Sequence, residues 1–510
     1  LFETISIEME RGNPASRRRL ETRLLHFEQL AGDNDFGDQF WRGYTYVWNA
    51  DQTGALLLEE PRGLDRVLKI KDPAAPRGIR EQTWHFPSRA ECTVCHNMAA
   101  KYVLGMNTLQ MNRDHSYGEV TDNQLRTFEH LKLFTGPLPE RPHRLPSLAD
   151  YRQGPDPSRP AAAARAYLHA NCSHCHRKWG GGNAEFRLLG NLDVGETGIF
   201  GRRPQHGGFY IGGAQLVMPG EPQRSVLYYR MATLGPGHMP RLGSNVVDGR
   251  GLQLIYDWIW QLGAIARRPP PSKARREVAA SIRQLQAGVA DAGERKSRID
   301  RLLSTTDSAL SLMSAVEFGV IRGPARVQAI AAATAGGDPH VRDLFERFVP
   351  ESQRTKRLGT SIEPAKILSL AADAARGKAV FFATAGVQCQ NCHRINGQGR
   401  EVGPDLSAVG KKLTKEKLLE NILFPSREID PKFRAFLVET GEGKIFTGLL
   451  VEKTAKEVVL RDTKGEVIRV PATQVEHMTP QLQSIMPDLL LRDMTAQQVA
   501  DLIAFLASLQ

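Results

Sequence analysis

The sequence has no long apolar run, few cysteines and no basic block interleaved with aromatics. Each absence excludes something. No stretch approaches the roughly 18 apolar residues of a membrane-spanning helix, so no transmembrane segment is expected in this chain. The formal charge is +11, yet the missing basic-aromatic pattern argues against a nucleic-acid partner. No secretory leader is visible, and residue 1 is Leu. A strand-like alternation, Leu1-Phe2-Glu3-Thr4-Ile5-Ser6-Ile7-Glu8, begins at once, so the expectation is a truncated chain. A hydrophobic content of 41% over 510 residues excludes disorder throughout and leaves room for several packed domains.

Only six cysteines occur, and all lie in three pentapeptides: Cys92-Thr-Val-Cys95-His96, Cys172-Ser-His-Cys175-His176 and Cys389-Gln-Asn-Cys392-His393. Cys-x-x-Cys-His is the attachment signal for c-type haem. The two thiols add to the haem vinyl groups, and the adjacent His ligates the iron from one face. Random placement of this chain's cysteines and histidines gives roughly 0.002 such motifs. Three covalently attached c-type haems are therefore expected. Zinc is the main alternative. A structural zinc site wants two Cys-x-x-Cys pairs at short separation, whereas long stretches separate these pairs and each carries its own His. Redox disulfides leave the histidines unexplained.

A Met from a distant loop can close the other face of each iron. For the second haem the choice lies between Met218-Pro219 and Met239-Pro240. The later loop, just before the last helix of a small haem domain, favours Met239; the bland reading is a core-filling Met. For the third haem, Met486-Pro487 is favoured over Met478, and Met494 already stands at a helix start. Gly403-Pro404-Asp405-Leu406 follows His393, and the Pro404 carbonyl is the expected acceptor for His393 Nδ1–H. After His96 come Met98, Met106, Met111, His115 and His130, none in a Met-Pro loop. The sixth ligand of the first haem is left among Met106, Met111, His115, His130 and an open site.

The fold class expected is multidomain: an N-terminal antiparallel β domain, mainly α cytochrome c-like haem domains, a helical spacer, and a last haem domain with a β insertion. Residues 1–90 alternate as strands of a sandwich-like domain, with Tyr44, Tyr46 and Trp48 on one face. Residues 91–150 carry the first haem segment, with helices over Ala90–Gln110 and, capped by Asp122, over Asp122–Leu133. Residues 158–265 read as a second cytochrome c domain closed by an amphipathic helix bearing Ile255, Trp258 and Ile259. Pro269-Pro270-Pro271 breaks the chain before a helical spacer over 272–375. Residues 376–510 form a third haem domain, with period-two alternation over 433–470 as the β insertion.

Two stretches resemble known families. Residues 1–265 resemble a bacterial di-haem c-type cytochrome family through Leu20-Glu21-Thr22-Arg23-Leu24-Leu25, Phe86-Pro87-Ser88-Arg89, Asn112-Arg113-Asp114, Asn123-Gln124-Leu125, Asn171-Cys172 through His176, and Met239-Pro240 with Val247-Asp248. In that family the β region is preceded by more chain. Residues 338–510 resemble the C-terminal haem-binding domain of large multidomain bacterial dehydrogenase-like proteins through Val341-Arg342, Leu344-Phe345, Gly403-Pro404-Asp405-Leu406, Pro425-Ser426, Ile429-Asp430-Pro431 and Ser484-Ile485-Met486-Pro487. The sugar-dehydrogenase module of that family is absent from this chain. Both resemblances imply electron transfer.

The functional expectation is an exported tri-haem c-type cytochrome, periplasmic or extracellular, or held at a membrane by a partner or a missing N-terminal segment. It would relay electrons between redox proteins such as a dehydrogenase or a membrane complex, without bond chemistry on a substrate. Roughly six haem propionates would bring the charge near +5, still mildly favouring acidic partners. The alternatives are a peroxidase-like haem enzyme with an open site at the first haem, and a docking subunit whose β domain grips a larger complex.

Overall fold

The computed structural model describes the chain except residues 29–39, 61, 154–159, 179, 181–185, 205–206, 266–271, 290, 360–361, 385, 442–444, 463–464 and 482–483. The triple-proline break lies outside the described residues. Among the described residues, no helix is long and apolar enough to cross a membrane.

Strands β1 (Phe2–Glu8), β2 (Arg17–Glu28), β3 (Phe40–Trp48) and β4 (Ala55–Leu57) form an antiparallel sheet in that order, and β5 (Leu64–Lys71) pairs with β6 (Ile79–Phe86). Leu20 of β2, Leu68 and Ile70 of β5 and Phe86 of β6 meet in one small core, so the hairpin covers one face of the sheet. Helix α1 (Arg89–Cys95) follows directly. The single helix expected over Ala90–Gln110 is not formed. Asn97 caps a short 3-10 turn with its side chain, and Lys101 and Tyr102 take left-handed φ values of 57° and 58°, which a continuous helix excludes. Helix α2 is only Thr108–Met111. Next come β7 (Asp114–Ser116), β8 (Thr121–Asn123) and α3 (Gln124–His130). The cap of α3 is Asn123, not Asp122: Asp122 is held in β8 opposite His115 and binds Arg126 instead.

The middle of the chain is one helical body. It contains α4 (Pro160–Cys172), α5 (Val226–Ala232), α6 (Gly249–Ile265), α7 (Lys273–Ala287), α8 (Ala292–Leu302), α9 (Thr306–Glu317), α10 (Gly323–Ala335) and α11 (Pro339–Phe345). A single core runs from Ala163 of α4 through Leu252, Ile255, Trp258 and Ile259 of α6 to Leu312, Met313, Leu344 and Phe345. The helices after the prolines therefore do not stand apart as a spacer. They share the core of the region around Cys172 and His176, and Tyr228 Oη lies 2.8 Å from Ser314 Oγ across the join. Helix α8, inside the stretch read as helical, is polar on most faces; only Ile299 and Leu302 are buried.

The C-terminal body contains α12 (Pro364–Leu368), α13 (Ala374–Ala383), the two-residue strands β9 (Arg394–Ile395) and β10 (Gln398–Gly399), α14 (Val409–Lys412), α15 (Lys415–Leu423) and α16 (Ala496–Ala507). Thr414 caps α15, and Thr495 closes a capping box on α16 with Gln498. Val499, Leu502, Ile503 and Leu506 of α16 pack on Val380 and Phe381 of α13. Gly377 permits that crossing: a Cβ there would lie 2.8 Å from Phe505 Cβ and collide with the Asp501 carbonyl. Arg376 binds Asp501 through Nε at 2.7 Å and Nη2 at 2.9 Å, fixing the two helices in register.

Between α15 and α16 lies a five-stranded sheet: β11 (Ala435–Thr440), β12 (Ile445–Lys453), β13 (Glu457–Arg461), β14 (Val467–Pro471) and β15 (Val475–Pro480), in the order β14-β13-β12-β11-β15. The β insertion thus runs beyond residue 470. Its last strand returns to pair with the first, which hairpin-by-hairpin alternation does not foretell.

Candidate functional site

Each Cys-x-x-Cys-His segment sits where a helix end meets a tight turn. In the third, the 3-10 turn Cys389–Asn391 places Cys392, and His393 follows. His393 Nδ1 lies 2.9 Å from the Pro404 carbonyl oxygen, so Nδ1–H donates there and, in the neutral ring, Nε2 is the unprotonated nitrogen. Gly403 lies against the ring: a Cβ would come 2.6 Å from His393 Cε1. The peptide of Cys392 closes the loop by accepting from Gly403 N–H at 2.7 Å. Burial pushes Cys389 up to about 12 and holds the His393 imidazolium down.

In the first segment, α1 presents Cys92 and Cys95, and His96 is its C-cap. His96 Nδ1 lies 2.6 Å from the Tyr102 carbonyl oxygen, which again makes Nε2 the unprotonated nitrogen of the neutral ring. The helix is anchored on the β domain. A Cβ on Gly43 of β3 would lie 2.5 Å from Cys92 Cβ, so that position tolerates only hydrogen. Glu91 completes a capping box with Ser88 and also takes His85 Nε2 at 2.9 Å, while His85 Nδ1 meets Asp65 at 2.8 Å.

Burial opposes a charge on His85, but the bonds to Asp65 and Glu91 outweigh it and raise its pKa to about 9. Because the folded value is raised, its stabilisation is complete below about 6.5 and is lost as pH rises through about 9. His85→Gln is expected to remove this slope: urea melts at about pH 6 and pH 10 should differ less for the variant than for the parent. An unchanged difference would show that the two carboxylates do not hold the imidazolium.

In the second segment, α4 runs straight into Cys172. The His176 ring stacks on Phe186 with centroids 4.4 Å apart, and among the described residues its buried Nδ1 has no hydrogen-bond partner. Burial, with the charges of Arg230, His174 and Arg241, pushes its pKa down to about 3. The ring is therefore neutral, the form that ligates metal.

All three histidines are thus neutral or biased to neutrality, two of them are oriented by a backbone carbonyl, and each follows a pair of part-buried thiols. That donor chemistry fits a covalently held haem. A cytochrome c family model matches residues 374–443. This region is a cytochrome c domain. Such a domain carries haem c with its iron, and the match supports an electron-transfer haem protein. No match to a curated protein is found.

In the C-terminal body, beyond the matched residues, the candidate Met ligands separate by packing. Met494 is completely buried in the helical core, and Met478 lies in β15, packed on the sheet's own core with Val438. Met486 lies in the intervening loop, part-buried, its N–H donating to Ser484 Oγ at 3.1 Å. In the second site, Met239 is tied to the His176 surroundings through Arg230, whose carbonyl accepts from Met239 N–H at 3.0 Å and whose charge acts on His176. Met218 is instead held by Ser225 Oγ at 2.9 Å. Of the candidates for the first site, His115, His130 and Met106 are exposed and Met111 is part-buried.

The fold also brings the sites together, which sequence separation concealed. Cys95 Sγ, a His174 ring nitrogen and Cys175 Sγ all lie within 4.8 Å of one another. Arg241, two residues past Met239, donates to the Asp488 carbonyl, two residues past Met486, at 3.4 Å. Arg492 reaches Asn245 at 2.6 Å, and a Cβ on Gly386 of the cytochrome c domain would lie 2.7 Å from Gly237 N. Arg230 and Arg241 were not singled out from the sequence. Neither has a carboxylate within ion-pair distance among the described residues, and burial together with Arg241 lowers Arg230 to about 10. No spacing rule points to them; only the fold places them beside His176.

Proposed function

We propose that this protein is an exported tri-haem c-type cytochrome that passes electrons one at a time between redox partners. The carrying observations are that the first and second Cys-x-x-Cys-His segments meet at Cys95 and Cys175, and that the Met239 and Met486 loops touch at Arg241 and Asp488. Cys92 and Cys95 with His96, Cys172 and Cys175 with His176, and Cys389 and Cys392 with His393 would each hold one haem. Met239 and Met486 would close the second and third irons. Haem iron supplies a one-electron couple whose potential the axial ligands and burial tune. The chain's own residues neutralise and orient: the Tyr102 and Pro404 carbonyls fix two imidazoles, and Arg230 and Arg241 supply positive charge for propionates of the second haem. Export follows from where such haems are attached, and the partners are redox proteins such as a dehydrogenase or a membrane complex.

Intact mass and the haemochrome spectrum of the purified full chain should give three haems per polypeptide. A single haem on the cytochrome c domain would refute the tri-haem reading, and bound zinc at the other two segments would replace it.

A further inference from the structure

We infer that the haems on the first and second attachment segments form one electronically coupled pair, joined edge to edge at Cys95 and Cys175. The inference rests on the tri-haem reading and goes beyond it, since three haems in one chain could equally stand apart.

The two segments are packed back to back. Cys175 Sγ lies 3.4 Å from the Val94 carbonyl oxygen. Asn97 Nδ2 donates to the His174 carbonyl at 3.3 Å, and Arg177 Nη1 donates to the Ala99 carbonyl at 3.0 Å. Arg177 is held in turn by its Nε on the Ser173 carbonyl at 2.7 Å. Each contact joins the peptide of one motif to a side chain of the other, so the motifs are fixed as one rigid unit. The thiols of Cys95 and Cys175 fall within 4.8 Å at its centre. Each thiol would bond its own macrocycle, so the two haems would be attached at neighbouring sulfurs.

The same three donors could suggest a metal site instead. Three donors fall short of the four of a structural zinc centre, and Cys92 and Cys172, the partner thiols of the motifs, lie outside the cluster. Haem attachment uses all four thiols; a zinc ion here would strand two.

Proximity has two consequences. One electron moves from the ferrous member of the pair to the ferric member, with no bond changed and no proton transferred. Charge on one iron also acts on the other through a part-buried medium, so the two couples titrate as a pair and not as independent centres.

The test uses the full holo-chain. Intact mass first establishes the haem count, which judges the tri-haem reading by itself. The fully oxidised protein is then measured by electron paramagnetic resonance, and a spectroelectrochemical titration follows the haem bands. Two haem signals broadened or lost by spin coupling, beside one normal low-spin signal from the cytochrome c domain, support the pair. So does a titration that needs an interaction between two of the three couples. Three haems by mass with three independent low-spin signals and three independent couples overturn the pair and leave the tri-haem reading standing. Fewer than three haems overturn both. As a second variant, Arg177→Gln removes the tie to Ala99 while leaving every attachment residue in place. It should retain three haems and show weaker coupling; coupling at the parental level would place its origin away from this contact.

Discussion

Replacing Met486 by alanine should leave the third haem high-spin when reduced, able to bind carbon monoxide, and lower in potential, with the haem count unchanged. On the ligation proposed above, the Met486 thioether is a weak axial donor that favours the ferrous state, and its loss opens a coordination position. Its competitors within the same domain serve as controls because they fail differently. Met494 has no exposed surface and packs among Leu491, Val499 and Ile503, so Met494→Ala should cost about 2–5 kcal/mol of stability and leave the spectrum low-spin. Met478→Ala should loosen the sheet beside Val438 with little effect on the haem. Carbon monoxide difference spectra of the three variants separate these outcomes. Rapid binding in Met478→Ala and none in Met486→Ala would reverse the assignment.

Arg357→Met is expected to destabilise the fold by about 3–5 kcal/mol in urea melts at neutral pH. Arg357 binds Asp343 at 2.8 Å and Glu346 at 2.6 Å, and both carboxylates are almost wholly inaccessible. Removing the guanidinium leaves two like charges in a poorly solvated place with Arg342, at 3.1 Å from Asp343, as their remaining partner. Burial raises the Asp343 pKa even with Arg357 present, whereas for Glu346 burial is outweighed by Arg357 and by bonds from Thr355, and its pKa is lowered. A lowered carboxylate contributes stability above its unfolded pKa, near 4.5 for Glu346, and loses it as pH falls through the folded value. The gap between parent and variant should therefore narrow below about pH 4.5. A variant as stable as the parent at neutral pH would show that the network contributes nothing net. The network also lies under the loop that carries Met239, since Asp343 accepts from Leu234 N–H at 3.3 Å through its carbonyl, and its side chain abuts Gly235.

Much of this was legible in the residues. The N-terminal strands and the amphipathic helix bearing Ile255, Trp258 and Ile259 could be read from alternation and a 3.6-residue stripe, because in each the pattern and the local geometry agree. The three Cys-x-x-Cys-His pentapeptides stand out in the sequence because covalent haem chemistry demands a fixed short spacing. What escaped were consequences of packing at a distance. The proline break was taken as a boundary, yet proline stiffens a connection without saying whether the helices beyond it fold back. The separation of the motifs was used to argue against a shared donor cluster, yet Cys95 and Cys175 meet, because chain distance sets no lower bound on spatial distance. Arg230 and Arg241 belong to no motif, and their role follows only from the side chains the fold places around them.

Because one apolar interior extends from Ala163 to Phe345, the middle module cannot be lifted out at the point where its sequence looks most separable. A gene truncated after residue 265 would remove Ser314 from Tyr228 and Phe318 from Tyr256, and a fragment with those faces uncovered belongs among aggregates, not among miniature haem proteins. The smallest transplantable piece carrying Cys172 and Cys175 ends past the Arg357 clasp, which makes that clasp the natural seam for building chimaeras from this chain.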